Sequence, residues 1–360
     1  MSIEINIAII GCGRIADHHC KNIKKTKGLK IIAVCDLIKS KSKKLAKKYN
    51  ILPYSNYKKM FKENPIIDCV VIATPSGMHY FHSKEIMNKY KKDIIIEKPT
   101  VIKFNQLKEL YIIARKLNLK IFPVYQNRFN KAVQRVKKGL VNNELGKIYI
   151  CSIRVRWCRP QRYYNMSAWR GTYFLDGGSL TNQGIHHLDL VRYLCSEVKS
   201  VSCNMSTLGS KIEVEDTVTG SLKFKNGAVG TIEVTTSARP NDYEASISLV
   251  CEKGMVQIGG IAVNQLQEYT VNKKICKRYS EDFNKDIYGN GHYLIYKDIY
   301  KTYSKGSKYF ISEKDSINTL KLLNAFYVSD EKNSWIDTDD NTESKKLGKL
   351  DKKLIKLYNK

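Results

Sequence analysis

Several absences bound this chain before any motif is considered. It has no uncharged apolar run long enough to span a bilayer, so a membrane-spanning helix is not expected. Its first residues, Met1-Ser2-Ile3-Glu4-Ile5, lack the basic start and small-residue cleavage site of a signal peptide. A cytoplasmic protein is expected. The 10 cysteines form no CxxC pair and keep no regular spacing, which argues against a zinc site and a disulfide framework. Cys35, Cys69 and Cys151 lie in apolar runs and read as buried thiols; Cys12 reads as a small residue tolerated in a glycine turn. There is no internal repeat and no recognition-helix or RNA-binding signature. Acidic residues are also scarce, 34 against 62 Lys and Arg, leaving a formal charge of +28. Lysines are spread along the chain among apolar residues at helical spacing, as in Lys39-Ser40-Lys41-Ser42-Lys43-Lys44. That pattern reads as solvated helix faces rather than a nucleic-acid footprint. A positive field would still hasten the encounter with an anionic substrate.

What is present has a clear order. With 360 residues, two domains are the default. Through the first third, short apolar runs (Ile5–Ile10, Lys30–Cys35, Asp68–Ala73, Asp93–Ile96, Leu119–Tyr125) alternate with amphipathic helix patterns such as His79–Tyr90 and Gln106–Leu117. This predicts a doubly wound parallel α/β sheet over residues 1–125. After about residue 145 the runs follow one another with turn signals between them: Ile148–Trp157, Val198–Leu208, Thr217–Phe224, Ala228–Thr236, Ala245–Val250 and Met255–Ile258. An α+β domain with a mostly antiparallel sheet is expected over 126–336, with helices near Ile185–Leu194 and Tyr293–Tyr303. Residues 337–360 read as a charged, peripheral tail. An open sheet would leave a large apolar face for another subunit, so a homo-oligomer, dimer or tetramer, is expected.

The chemistry-bearing residues fall at strand ends. Gly11-x-Gly13-x-x-Ala16 follows the first strand and, with Arg14 and Ile15, opens a helix. The first glycine permits the turn, the second admits a pyrophosphate, and Ala16 packs helix on strand. Helix N-terminal amides then face the phosphates. Asp36, twenty residues beyond Ala16 at the end of the second strand, suits the ribose hydroxyls and repels a 2′-phosphate, which favours NAD over NADP. The loop Thr74-Pro75, followed by His79, should border the nicotinamide half of the cleft. Glu97-Lys98-Pro99 closes the Asp93–Ile96 run, where a lysine can reach both a nicotinamide and a hydroxyl that loses hydride. The densest polar stretch runs from Asp176-Gly177-Gly178 through Asn182-Gln183-Gly184-Ile185-His186-His187 to Asp189. On a helix, Asn182, His186 and Asp189 would share one face. His186 is the natural general base, and His187 points elsewhere.

With these residues together, the chain resembles the Gfo/Idh/MocA oxidoreductase family from the glycine loop to about residue 330. The resemblance rests on Gly11–Ala16, Asp36, Glu97-Lys98-Pro99 and Gly184-Ile185-His186. It implies a Rossmann domain, an open-faced sheet domain, and catalytic roles for Lys98 and His186. The family often has aspartate four residues before the histidine. Here Asn182 stands there, and asparagine can orient but not transfer a proton. The Asn182–His186 run, Gln126-Asn127-Arg128, Trp169-Arg170-Gly171-Thr172 and Gly289-Asn290-Gly291-His292 are similar to the branch that oxidises the 3-hydroxyl of UDP-N-acetylglucosaminuronic acid for surface-polysaccharide diamino sugars. By that resemblance, Gln126 and Glu97 join the cofactor set. Arg128, Arg156, Tyr163, Trp169, Arg170, Asn182, Gln183 and His292 join Lys98 and His186 around a nucleotide sugar. Arg159 and Arg162 belong to the same basic stretch, suited to a diphosphate and a carboxylate. A dehydrogenase for a free sugar or inositol, or an NAD-binding sensor without turnover, remain the alternatives.

Overall fold

The computed structural model describes residues 3–283 and 288–358. The chain forms two compact units. One comprises Met1–Val124, His292–Ile317 and Leu350–Lys360; the other comprises Tyr125–Gly291 and Asn318–Lys349.

The first unit is built on six parallel strands: β1 (Ile5–Ile10), β2 (Leu29–Cys35), β3 (Leu52–Tyr54), β4 (Cys69–Ile72), β5 (Asp93–Ile96) and β6 (Ile121–Pro123). Their order is β3-β2-β1-β4-β5-β6. Crossover helices bury both faces of such a sheet, which is why β4 and β5 are buried at every residue rather than at alternate ones. The strand order reverses between β1 and β4, so a crevice for a ligand opens beyond their carboxyl ends. Helix Arg14–Lys25 lays Ala16, Cys20 and Ile23 on the sheet at helical spacing. Two segments from later in the chain return to this unit. Helix Gly291–Lys305 brings Ile295, Tyr296 and Ile299 into this unit's core. Its Tyr303 hydroxyl donates to Asp93 at 2.6 Å, and Tyr309, just beyond it, donates to the Pro123 carbonyl at 2.8 Å. The supposed tail also contributes a helix, Lys352–Tyr358, that belongs here.

The second unit carries eight strands: β7 (Ile148–Arg156), β8 (Val198–Ser206), β9 (Thr217–Phe224), β10 (Val229–Thr235), β11 (Glu244–Cys251), β12 (Met255–Gly259), β13 (Gln265–Tyr269) and β14 (Ile336–Asp337). They are ordered β13-β12-β11-β7-β10-β9-β8-β14. β7 and β10 pair in parallel and the other neighbours are antiparallel. Gly227, at φ +90°, turns β9 into β10. Alternation along the strands buries Cys151, Ile153, Val155, Val218, Leu222, Ile232 and Val234 on one face. The other face corrects an expectation. It presents Ser152, Arg154, Arg156, Thr219, Ser221, Thr231, Glu233 and Thr235, and is apolar only at one end, where Ile150 pairs with Val229. It is a hydroxyl-rich surface, so the apolar-face argument for an oligomer does not hold. Among the described residues, no helix is long and apolar enough to cross a membrane.

Candidate active site

In the first unit, the residues singled out gather at the carboxyl ends of neighbouring strands. Gly11 has φ +98°, and a Cβ there would lie 2.3 Å from the Ala73 carbonyl oxygen. Only glycine lets the turn after β1 press against the end of β4. Gly13 differs: a Cβ there would meet nothing within 4 Å. This open space beside the start of helix Arg14–Lys25 is where a pyrophosphate has to approach. Asp36 is fixed by two backbone amides, Cys12 N–H to Oδ2 and Ile38 N–H to Oδ1, both at 2.8 Å. The carboxylate thus braces the glycine loop while standing at the end of β2. Burial first, then Asp36, push the Cys12 thiol far up, so it stays protonated.

His79 departs from expectation. It is buried, with Nδ1 2.8 Å from the Pro99 carbonyl and Nε2 2.9 Å from the Thr74 carbonyl. Burial lowers its pKa, so the neutral ring donates to one of these carbonyls at a time. It clips the Thr74-Pro75 loop to the Lys98-Pro99 segment instead of facing a cofactor. Beyond β5, Lys98 is half-buried, and its backbone N–H donates to the Glu97 carboxylate at 3.0 Å. Glu97 Oε1 lies 2.9 Å from His19 Nε2 and 3.3 Å from His292 Nε2. Glu97 and His292 are both buried, at 6% and 1% exposure.

In the second unit, Asp176 anchors the polar stretch. Its Oδ2 accepts the Gly171 N–H at 2.7 Å, and its Oδ1 accepts the Asn182 side-chain amide. Residues Leu180–Gly184 form a π-turn before helix Ile185–Leu194, so the assumed regular spacing from Asn182 to Asp189 is broken. Asp189 is instead paired with Arg128. The two form a bidentate ion pair, Nε to Oδ2 and Nη2 to Oδ1 at 2.7 Å each, with Arg128 2% exposed. Arg128 is therefore a core residue, not an anion ligand. Arg156 is likewise engaged, bidentate to Glu233 at 2.5 and 2.9 Å on the sheet's polar face. Gln183 is buried. His187 is buried and neutral, its pKa pushed down to about 4 by burial. Gln126 is 7% exposed, and its Oε1 has no hydrogen-bond partner among the described residues, an amide group suited to a carboxamide ligand.

An arginine–aromatic array follows β7. Arg170 lies over the rings of Tyr163 (4.1 Å) and Trp169 (4.6 Å), and Arg159 over those of Trp157 (5.3 Å) and Tyr163 (5.5 Å). Arg159 also pairs with Asp242 at 2.8 Å. The Arg170 Nε and the Trp157 Nε1 are buried without hydrogen-bond partners among the described residues. Trp157 was not anticipated from sequence. Its only cue is its place at the end of an alternating strand beside clustered arginines.

The glycine loop, the space at Gly13 and the braced Asp36 fit a dinucleotide, in keeping with the comparisons. Residues 5–125 match the oxidoreductase family with an NAD-binding Rossmann fold, and residues 133–257 match the GFO/IDH/MocA C-terminal domain. The WlbA dehydrogenase from Bordetella pertussis, in complex with NADH and UDP-GlcNAcA, is 30% identical with TM-score 0.86, covering 94% of this chain and 98% of its own. The WlbA enzyme from Chromobacterium violaceum, with the same two ligands, is 33% identical with TM-score 0.85, covering 93% and 96%. D-glucoside 3-dehydrogenase of Escherichia coli K12 is 29% identical over 266 residues, 68% of this chain and 74% of its own. The chain belongs to the Gfo/Idh/MocA oxidoreductase family, as a dehydrogenase whose first domain binds NAD.

Proposed function

We propose that this enzyme oxidises the C3 hydroxyl of a UDP-linked N-acetylhexosaminuronic acid. Bound NAD supplies the hydride acceptor. The observation that carries the reading is the likeness, over nearly the whole chain, to two enzymes solved with UDP-GlcNAcA. The site residues support it. Arg170 has no ion-pair partner among the described residues and is held by two aromatic rings, an arrangement suited to a diphosphate with a base stacked nearby. The hydroxyl must lose a proton as hydride departs. An imidazole at His186 suits that transfer near neutral pH. Lys98, as an ammonium, stabilises the developing alkoxide charge. Asn182, its amide bound to Asp176, orients and does not titrate.

A second reading, oxidation of a free sugar, is favoured by the match to D-glucoside 3-dehydrogenase. The test is to supply UDP-GlcNAcA, UDP-GlcNAc, glucose and myo-inositol in turn with NAD and an NADH-recycling system. Carbon-3 oxidation is followed by NMR. Oxidation of the uronic acid nucleotide above all others is expected. Oxidation of glucose or inositol with none of the nucleotide would move the function to the second reading.

A further inference from the structure

We infer that His19 and His292 are positioning residues for Lys98, acting through the carboxylate of Glu97. The inference rests on the role proposed for Lys98. The side chains of His19, Glu97 and His292 come from three distant places: the helix after β1, the end of β5 and the start of helix Gly291–Lys305. Yet they form one buried cluster with Tyr296. His19 and Tyr296 are 0% exposed, His292 1% and Glu97 6%.

The hydrogen-bond directions follow from the donors available. Tyr296 stays protonated, since burial holds its phenol well above the usual range. The ionised Glu97 carboxylate can only accept, so His19 Nε2 donates to its Oε1 at 2.9 Å. The neutral His19 ring then accepts at Nδ1 from the Tyr296 hydroxyl, 2.7 Å away. His292 Nε2 adds a second donor to the same oxygen at 3.3 Å. The other carboxylate oxygen takes the Lys98 backbone N–H at 3.0 Å. Burial alone would raise the Glu97 pKa, but the two histidines outweigh it and keep it well below the usual range. Glu97 is therefore a charged group deep in the unit, with a donor on every side. A buried carboxylate held by three donors has one orientation, and the lysine that follows it inherits that orientation.

His18 stacks edge-on against His292, with ring centroids 4.6 Å apart, and closes the cluster on that side. The same trio carries ligand atoms of the kind that bind a divalent cation. Hydrogen bonding is the better account, because both His19 nitrogens already lie at bonding distance from a protein partner.

The test compares His292→Leu, His292→Gln and Tyr296→Phe in the full chain. Gln keeps a donor near the Nε2 position and Leu removes it; Phe removes the hydroxyl that donates to His19 Nδ1. His292→Leu should lower kcat roughly tenfold or more, the scale of a misplaced reacting group, with KM and NAD affinity unchanged. His292→Gln should restore most of it, and Tyr296→Phe should fall between. A second readout needs no turnover: the rate at which an acylating reagent labels Lys98 relative to surface lysines, read by peptide mass spectrometry. That ratio should change several-fold in His292→Leu and return in His292→Gln.

Unchanged kcat and unchanged Lys98 labelling in His292→Leu would overturn the inference. So would a stoichiometric divalent metal in the purified protein, lost in His19→Gln. If His292→Leu does not fold, Tyr296→Phe with wild-type kcat and labelling overturns it equally. Altered labelling in an enzyme whose Lys98→Met variant keeps full turnover would uphold the positioning and sink the catalytic role of Lys98 instead.

Discussion

At the scale of single residues, a charge is informative in sequence only when its partner is near in sequence. Lys98 could be singled out because Glu97 and Pro99 flank it and an apolar strand precedes it. Replacing Lys98 by Met, or His186 by Asn, is expected to lower turnover roughly a hundredfold or more, the usual scale for acid–base groups. NAD affinity should be nearly unchanged, and steady-state kinetics beside equilibrium NAD binding would show it. Near wild-type turnover in both variants would mean that the proton-transfer groups lie elsewhere. Arg128 shows the opposite case. Read alone, it suits a diphosphate as well as Arg170 does. Its partner Asp189 lies 61 positions away, on another helix, and nothing in the local sequence joins them. The Glu97–His292 contact spans 195 positions and was equally invisible. The glycine turn and Asp36 were legible because their task is local: a backbone conformation, and a carboxylate one strand length further on.

At the scale of elements, the strands of both sheets were readable from their apolar runs, except short ones such as β3, whose Leu52-Pro53-Tyr54 carries no pattern. The longest helix, Glu313–Lys332, escaped notice for a physical reason. It is buried around most of its circumference, including Ser316, Thr319, Asn324 and Ser329, so no apolar stripe marks one face. Its Tyr327 ties it to the loop before the π-turn: the hydroxyl contacts the Gly177 carbonyl, the Thr181 hydroxyl at 2.8 Å and Glu215 Oε1 at 2.9 Å. Glu215 also accepts the Leu180 N–H at 3.0 Å, and burial pushes its pKa up to about 8. The folded protein therefore keeps this proton up to about pH 8, whereas the unfolded chain releases it near 4.5. Stability from this group is complete below about 4.5 and is lost as pH rises through about 8. Thermal melts of the wild type should fall by roughly 2 °C or more between pH 6.5 and 8 relative to Glu215→Gln, which has no such proton. Burial holds His82 and His187 down at about 4, so they weaken the fold only on the acid side and do not mask the difference. Parallel pH profiles for the two proteins would refute a buried neutral acid at Glu215.

At the scale of the whole molecule, the two-domain organisation was legible, but its bookkeeping along the chain was not. A segment that leaves one unit and returns to it is decided by long-range packing, as when Gly28 leaves room for the Tyr300 ring. This interleaving has a consequence for how the molecule comes apart. None of the cysteines described is bonded to another, and burial keeps Cys20 and Cys35 protonated and shielded, with Cys69 beside them in the same unit. Cys203 and Cys251 are hidden in the same way in the other unit. Each unit thus carries its own clock, because such a thiol reacts with an alkylating reagent only while its surroundings are open. Under pulse labelling in mild denaturant, Cys20, Cys35 and Cys69 should react at one shared rate, and Cys203 and Cys251 at one shared rate of their own. Peptide mass spectrometry reads both series from a single sample. Labelling of Cys69 far ahead of Cys20 and Cys35 would show that the first unit opens piecemeal. A single rate for all five would mean that the threads crossing from one unit to the other make the molecule one cooperative body.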